Sequence, residues 1–122
     1  MIDLTQVRRI LDIIDAGLTH GLGNPFPGQM CVEAAICYAL NLPHGDDPQC
    51  VDSAVRAFKI RLNDSAWSTP QARAHGLRVL AIAQLDSKGM ISSVEFARRL
   101  VEKTIRHLLP QVLRGLTPPL EV

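Results

Sequence analysis

Aromatic residues are scarce in this chain: one Trp, one Tyr and three Phe amount to 4% of its 122 residues. A core of stacked rings is thereby excluded, and Leu, Ile, Val and Ala must fill it, a composition that favours helices packed on helices. Charge of one sign is lacking too, because 13 basic and 12 acidic side chains leave a formal net charge of +1. Whole-chain charge therefore gives no argument for a nucleic-acid binder or a membrane-surface protein. Long apolar runs are absent as well. The longest, Ala34 to Leu40, has seven residues, against the roughly 18 of a candidate membrane span, so no membrane partner is expected. Cysteine is sparse and odd in number: Cys31, Cys37 and Cys50 do not suit a disulfide scaffold, and a reducing cytoplasm is the expected setting. Asp3, Asp12 and Asp15 interrupt the opening segment, which does not read as a secretory signal. No segment keeps up the alternation that a half-buried strand needs.

What is present is helical periodicity. Leu4, Val7, Leu11 and Ile14 recur at three and four residues behind Asp3, a ready N-cap, and predict a first helix ending near Gly17. Residues 18–28 hold three glycines and two prolines and read as a loop. Gln29 to Asn41 is apolar on nearly every side, with Glu33 its one charge, and predicts a second, most buried helix. A third follows over Val51 to Leu62, with Arg56, Lys59 and Arg61 expected on its wetter side and Asn63-Asp64 at its end. Ser68, Pro70 and Gln71 resemble a capping box opening a fourth helix to about Leu85, with Ala72, Val79, Leu80 and Ala83 as its inner face. Ser92 and Glu95 open a last helix to about Leu109, with Ile91 and Phe96 as a hydrophobic staple, and Pro110 breaks or redirects it. The expected fold is an all-α bundle of about five helices, a single domain over residues 1–116 with a tail at 117–122.

Metal-ligand residue types gather in one stretch: Cys31, His44, Asp46, Asp47 and Cys50. A zinc site wants four such groups in a tetrahedron. The chain has no Cys-x-x-Cys pair, and Cys37 lies about 240° around the helix from Cys31. Small buried hydrophobes are the simpler reading of the thiols, and no metal or cofactor is expected. His44, Asp46 and Cys50 are the nearest approach to a ligand set. Pro43-His44-Gly45-Asp46-Asp47-Pro48 has a structural explanation: Asp46 or Asp47 caps the third helix and Pro48 opens it. The functional alternative makes His44 with Asp46 or Asp47 an acid/base or ligand pair, with Asn63 and Asp64 nearby. Cys50, close to a helix N-terminus, is the more reactive thiol candidate.

Written out, residues 30–64 carry Met30-Cys31-Val32-Glu33-Ala34-Ala35-Ile36-Cys37-Tyr38, then Pro43-His44-Gly45-Asp46-Asp47-Pro48-Gln49-Cys50-Val51, then Asn63-Asp64. This resembles a family of small, uncharacterised helical proteins of bacteria and phages. Their pattern is Cys-Val-x-x-Ala-x-x-Tyr, Pro-His-x-Asp-x-Pro-x-Cys-Val and a closing Asn-Asp. Cys31, Tyr38, Pro43, His44, Asp46, Pro48, Cys50, Asn63 and Asp64 fall on matching positions, within about a third of the chain. Many members carry Glu where this chain has Ala34, and often His where it has Asp47. A site built from that Glu and that His is altered here, so the resemblance implies structural kinship and no mechanism.

Three further motifs dissolve on inspection. Gln84 to Phe96 mimics a calcium-binding EF-hand loop, but Gln84 and Lys88 stand where calcium wants carboxylates. The glycine-rich Thr19 to Asn24 follows a helix and lacks the Gly-Lys-Ser/Thr ending of a phosphate loop. His75 beside Gly76 is an ordinary helix residue. The charge is unevenly spread, with two basic against six acidic residues up to position 50 and 11 against six beyond it. Arg98, Arg99, Lys103 and Arg106 gather on the last helix and could meet an acidic protein surface or phosphates. The expected function is a small cytoplasmic protein-interaction or regulatory module, self-associating or docking an acidic partner. A small-molecule or metal-dependent site around His44, Asp46 and Asp47 is the alternative, and nucleic-acid binding by the last helix the second.

Overall fold

Asp3 caps the first helix as its place before Leu4 predicts: its carboxylate accepts from Gln6 N–H, and Gln6 Oε1 accepts from Asp3 N–H, both at 2.9 Å. The structure is a computed structural model that describes residues 2–115. The expected tail at 117–122 lies outside them. Helix α1 covers Leu4–Asp15, α2 Val32–Ala39, α3 Ser53–Asn63 and α4 Pro70–Ala83. Helix α5, Ser93–Lys103, continues through a π turn at Thr104–Leu108 into α6, Leu109–Arg114, as one rod. Among the described residues the fold is all-α, with no strand, only a single bridge between Gly23 and Met30.

Helix α2 is the centre, packed on α1, α3 and α4. Val32, Ala35, Ile36 and Ala39 meet Ile10 and Ile14 of α1 and Ala74, Leu77 and Ala81 of α4. Small residues on α2 let the three neighbours approach closely, which is how a core nearly without rings fills its space. Helix α5 packs on α3 alone of the body helices in its main contacts, and Phe58 and Phe96 meet edge to face at 6.1 Å.

Several boundaries differ from the periodicity reading. Helix α2 starts at Val32 rather than Gln29, because Met30 O accepts from Thr19 N–H at 2.9 Å and holds that stretch extended against the loop. Helix α3 is capped by Asp52, whose carboxylate accepts from Ala54 and Val55 N–H at 2.9 and 3.2 Å. Asp46 and Asp47 do not cap it, and Pro48 does not open it. Thr69, not Ser68, caps α4 by accepting from Ala72 N–H at 2.9 Å. The inner face of α4 is Arg73, Ala74, Leu77 and Ala81, whereas Val79 is 72% exposed. Lys59, expected in water, is 2% exposed. Ser92 caps α5 as expected, accepting from Glu95 N–H at 3.2 Å.

Two local devices shape the outline. Trp67 packs over Gly76, where an added Cβ would stand 2.5 Å from the ring, and its Nε1–H donates to Leu62 O at 3.0 Å. The indole so joins α3 to α4. Pro110 sits inside the rod with no N–H to give and a ring that crowds the carbonyl four residues back. The π turn just before it takes up an extra residue and lets the rod continue rather than break.

Candidate functional site

Asn63, Asp64 and His44 converge, and what they hold is the glycine-rich loop. Asn63 is fully buried at the end of α3. Its Oδ1 accepts from Val32 N–H at 2.9 Å, an orphan donor at the start of α2, while its Nδ2 donates to Thr19 O and to Asp64 Oδ1, each at 2.9 Å. Asp64 Oδ1 accepts from Gly21 N–H at 2.8 Å. Burial works to raise the Asp64 carboxyl, but the bonds from Gly21 and Asn63 outweigh it and keep the group below its ordinary range. His44 Nε2–H donates to Gly23 O at 3.1 Å, since a carbonyl can only accept. Three side chains from α3 and the turn after α2 thus pin three successive points of one loop. Gly23 is the tightest of them, with φ +72° and only 1.9 Å between the place an added Cβ would take and Gln29 O.

Beneath the loop lies a small cavity of about 20 Å³ bordered by Gly21, Cys31, Glu33, Asn63 and Asp64, room for about one water molecule. The remaining candidates point elsewhere. Asp46 accepts from Arg56 at 2.7 Å and Asp47 lies 3.6 Å from the same guanidinium, so the two carboxylates serve one arginine rather than His44. Cys50 is half-buried, Cys31 and Cys37 are buried, and all three are free thiols. Burial pushes the Cys31 thiol up and the Cys37 thiol to about 11, the opposite of an activated nucleophile. Cys31 instead caps α2, its Sγ accepting from Ala34 N–H at 3.4 Å. Among the described residues no three His, Cys, Asp or Glu side chains come together as a metal ion would need. His44, Asp46 and Cys50 therefore form no ligand set.

Sequence reasoning misses a second polar group, in the core itself. Glu33 of α2 is fully buried and accepts from Gln84 Nε2 at 2.7 Å. Lys59 of α3 is near enough for the two charges to attract. Glu33 Oε2, Gln84 Oε1 and Lys59 Nζ are all buried without a hydrogen-bond partner among the described residues. Desolvation raises Glu33 to about 7, and desolvation lowers Lys59 to about 8, each partly offset by the attraction of the other. A signal for it exists in the chain: Asp52, Val55, Lys59 and Asn63 recur at three and four residues, which puts Lys59 on the inner face.

This pair shapes the pH dependence of stability around neutrality. Between about 4.5 and 7 the folded chain holds a proton on Glu33 that the unfolded chain has released, so stability falls as pH rises through that window. From about 8 the unfolded chain binds the extra proton, on Lys59, and stability climbs again, until above about 9 the raised Cys31 and Cys37 thiols work against it. Thermal unfolding is expected to show a minimum near pH 7 to 8, and Glu33→Gln to flatten the descending limb.

On the rod, the predicted partner-binding cations are largely engaged within their own helix. Glu95 accepts from Arg98 and Arg99 at 2.6 and 2.9 Å, and Glu102 from Arg98 at 3.1 Å with Arg106 at 3.5 Å. These bonds hold Glu95 down at about 2. Lys103 makes no such pair among the described residues. The other side of the rod is apolar and exposed: Val94, Val101, Ile105, Leu108, Leu109 and Val112 are each at least 44% accessible. Phe96 and Leu100 turn toward the body instead and are partly buried. No helix is long and apolar enough to cross a membrane among the described residues. Comparison with protein-family models, with curated proteins and with solved structures gives no match.

Proposed function

We propose that the chain is a small protein-interaction module of the cytoplasm that pairs with a second copy of itself along the C-terminal rod. The observation that carries this is the rod's second apolar face. A helix needs one apolar stripe to dock on its own domain, and Phe96 and Leu100 supply it. The stripe from Val94 to Val112 is additional, runs for about 27 Å of helix, and no described residue covers it. Monomers seldom leave so long an apolar face in water. The π turn keeps it continuous, because one extra residue in that turn brings Leu109 to follow Val101 and Ile105 on one side.

Charge argues for a second copy over an acidic partner or phosphates. Arg98, Arg99 and Arg106 already have carboxylates from Glu95 and Glu102, and trading them for an outside anion gains little. Two copies present the same apolar stripe beside the same neutralised rim. The loop clamp serves this reading as scaffold: it fixes α2 and α3, and α3 carries the rod.

Sedimentation velocity tests it. The wild-type chain is expected to be dimeric by about 100 µM, and Val101→Asp to weaken the dimer by roughly 100-fold or more, since each copy then buries a charge in the seam. Its thermal unfolding should hardly change, because Val101 is 59% exposed in the single chain. A wild-type monomer at that concentration overturns the proposal. A dimer indifferent to both Val101→Asp and Ile105→Asp does so equally.

A further inference from the structure

Between α3, α4 and the start of α5 the surface opens into a hollow of about 160 Å³, walled by Val55, Phe58, Leu80 and Phe96, with Lys59 and Gln84 as its polar members. Apolar cavities of about 150 Å³ are large enough to take one benzene ring. Phe58 and Phe96 pack edge to face on each other, inclined at 64° with centroids 6.1 Å apart, and together make an aromatic wall against which such a ring can lie.

The polar members make it more than a gap in packing. Lys59 is 2% exposed, and its Nζ has neither a hydrogen-bond acceptor nor a salt bridge among the described residues. Gln84 gives its Nε2 to Glu33 and keeps an unpartnered Oε1. A buried ammonium with no acceptor is costly, and a well-placed anion relieves that cost. The titratable group facing Lys59 is Glu33 on α2, while α4 contributes the neutral Gln84 and α5 contributes Phe96.

We propose that this hollow binds a small aromatic carboxylate, its ring against the wall that Phe58 and Phe96 make and its carboxylate accepting from Lys59 Nζ after the lysine's terminal carbons rotate toward the mouth. Charge selects an anion over a neutral ring, because the ammonium is the unmet group. Binding also shifts a proton. Once an added carboxylate shares the site, Glu33 takes the neutral form, so complex formation consumes protons from the buffer near neutral pH.

Calorimetric titration of the full chain with sodium benzoate, and separately with benzamide, tests the inference. The wild type is expected to prefer benzoate by about 10-fold or more, as a charge-assisted hydrogen bond should, with a binding heat that varies with the buffer's ionisation enthalpy. Lys59→Met, which fills the same space with no charge to bury, should erase the preference and leave benzamide uptake. Ala83 also lines the hollow, so Ala83→Leu should block both ligands and serves as the check if Lys59→Met folds poorly. Benzoate binding no tighter than benzamide overturns the inference. So does a benzoate preference that survives in Lys59→Met, or the absence of any binding up to about 10 mM, far above what a fitted ring and ion pair require.

Discussion

Asn63→Ala is expected to cost about 3 kcal/mol of stability, among the largest losses for a single polar side chain in this fold. The reason lies in what the amide leaves behind. Val32 N–H and Thr19 O are both inside, and each depends on Asn63, at 2.9 Å. Truncation strands one donor and one acceptor, each at about 1 to 3 kcal/mol. It also opens a small void beside Arg73, whose guanidinium donates to Asn63 O at 2.8 Å and to Leu18 O at 3.2 Å. Urea unfolding should show a lower midpoint with an unchanged slope, and hydrogen exchange should quicken at Val32 N–H before it does at the centre of α4. Asn63→Asp is the informative companion. It keeps an acceptor for Val32 but loses the donor to Thr19 and sets a second carboxylate beside Asp64, so its stability should recover as pH falls. Equal stability of Asn63→Ala and wild type would show that the clamp is dispensable.

The second large effect is expected at Gly23, where Gly23→Ala should remove about 2 to 3 kcal/mol or release the loop outright. Two costs coincide there. The backbone holds φ +72°, which any side chain resists, and the new Cβ would stand 1.9 Å from Gln29 O, a main-chain atom that no rotamer change can move away. Gly21, with the same φ of +72° but nothing within 4 Å of an added Cβ, is the control: Gly21→Ala should cost only the conformational share, about 1 to 2 kcal/mol. Limited proteolysis measures the difference, with cleavage between residues 18 and 30 accelerating in Gly23→Ala. Indistinguishable cleavage of the two variants would mean that the contact with Gln29 gives way freely.

Much of the scaffold could be read from the chain. Asp3 before Leu4 and Ser92 before Ser93 announce their helices because capping is local, decided by residues three apart. The all-α architecture follows from spacing alone. The candidate site was legible only as a set of names. Asn63, Asp64 and His44 stand out in the sequence, yet their partners Val32, Thr19, Gly21 and Gly23 lie 21 to 44 positions away, and no local pattern announces a contact of that range. Asp46 and Asp47 resist a local reading for the same reason: their competing partner, Arg56, becomes a neighbour only when the turn folds back onto α3. At Lys59 residue type and position point opposite ways. Polarity says surface for lysine, whereas the spacing from Val55 to Asn63 says interior. The rod's double apolar face was hidden by its charges, since Arg98, Arg99 and Arg106 look like an outward-facing basic patch until Glu95 and Glu102 are seen to hold them.

The corner where Trp67 lies over Gly76 has an optical consequence. It is the one tryptophan of the chain, its indole N–H bonded to Leu62 O at the end of α3, a single turn from Asn63. Its emission therefore reports the α3–α4 corner and the clamp next to it. The rod from Ser93 to Arg114 carries neither Trp nor Tyr. Dissociation of two rods should be dark to tryptophan fluorescence, while loss of the clamp should be bright, so one cuvette and one centrifuge cell separate assembly from folding without any label.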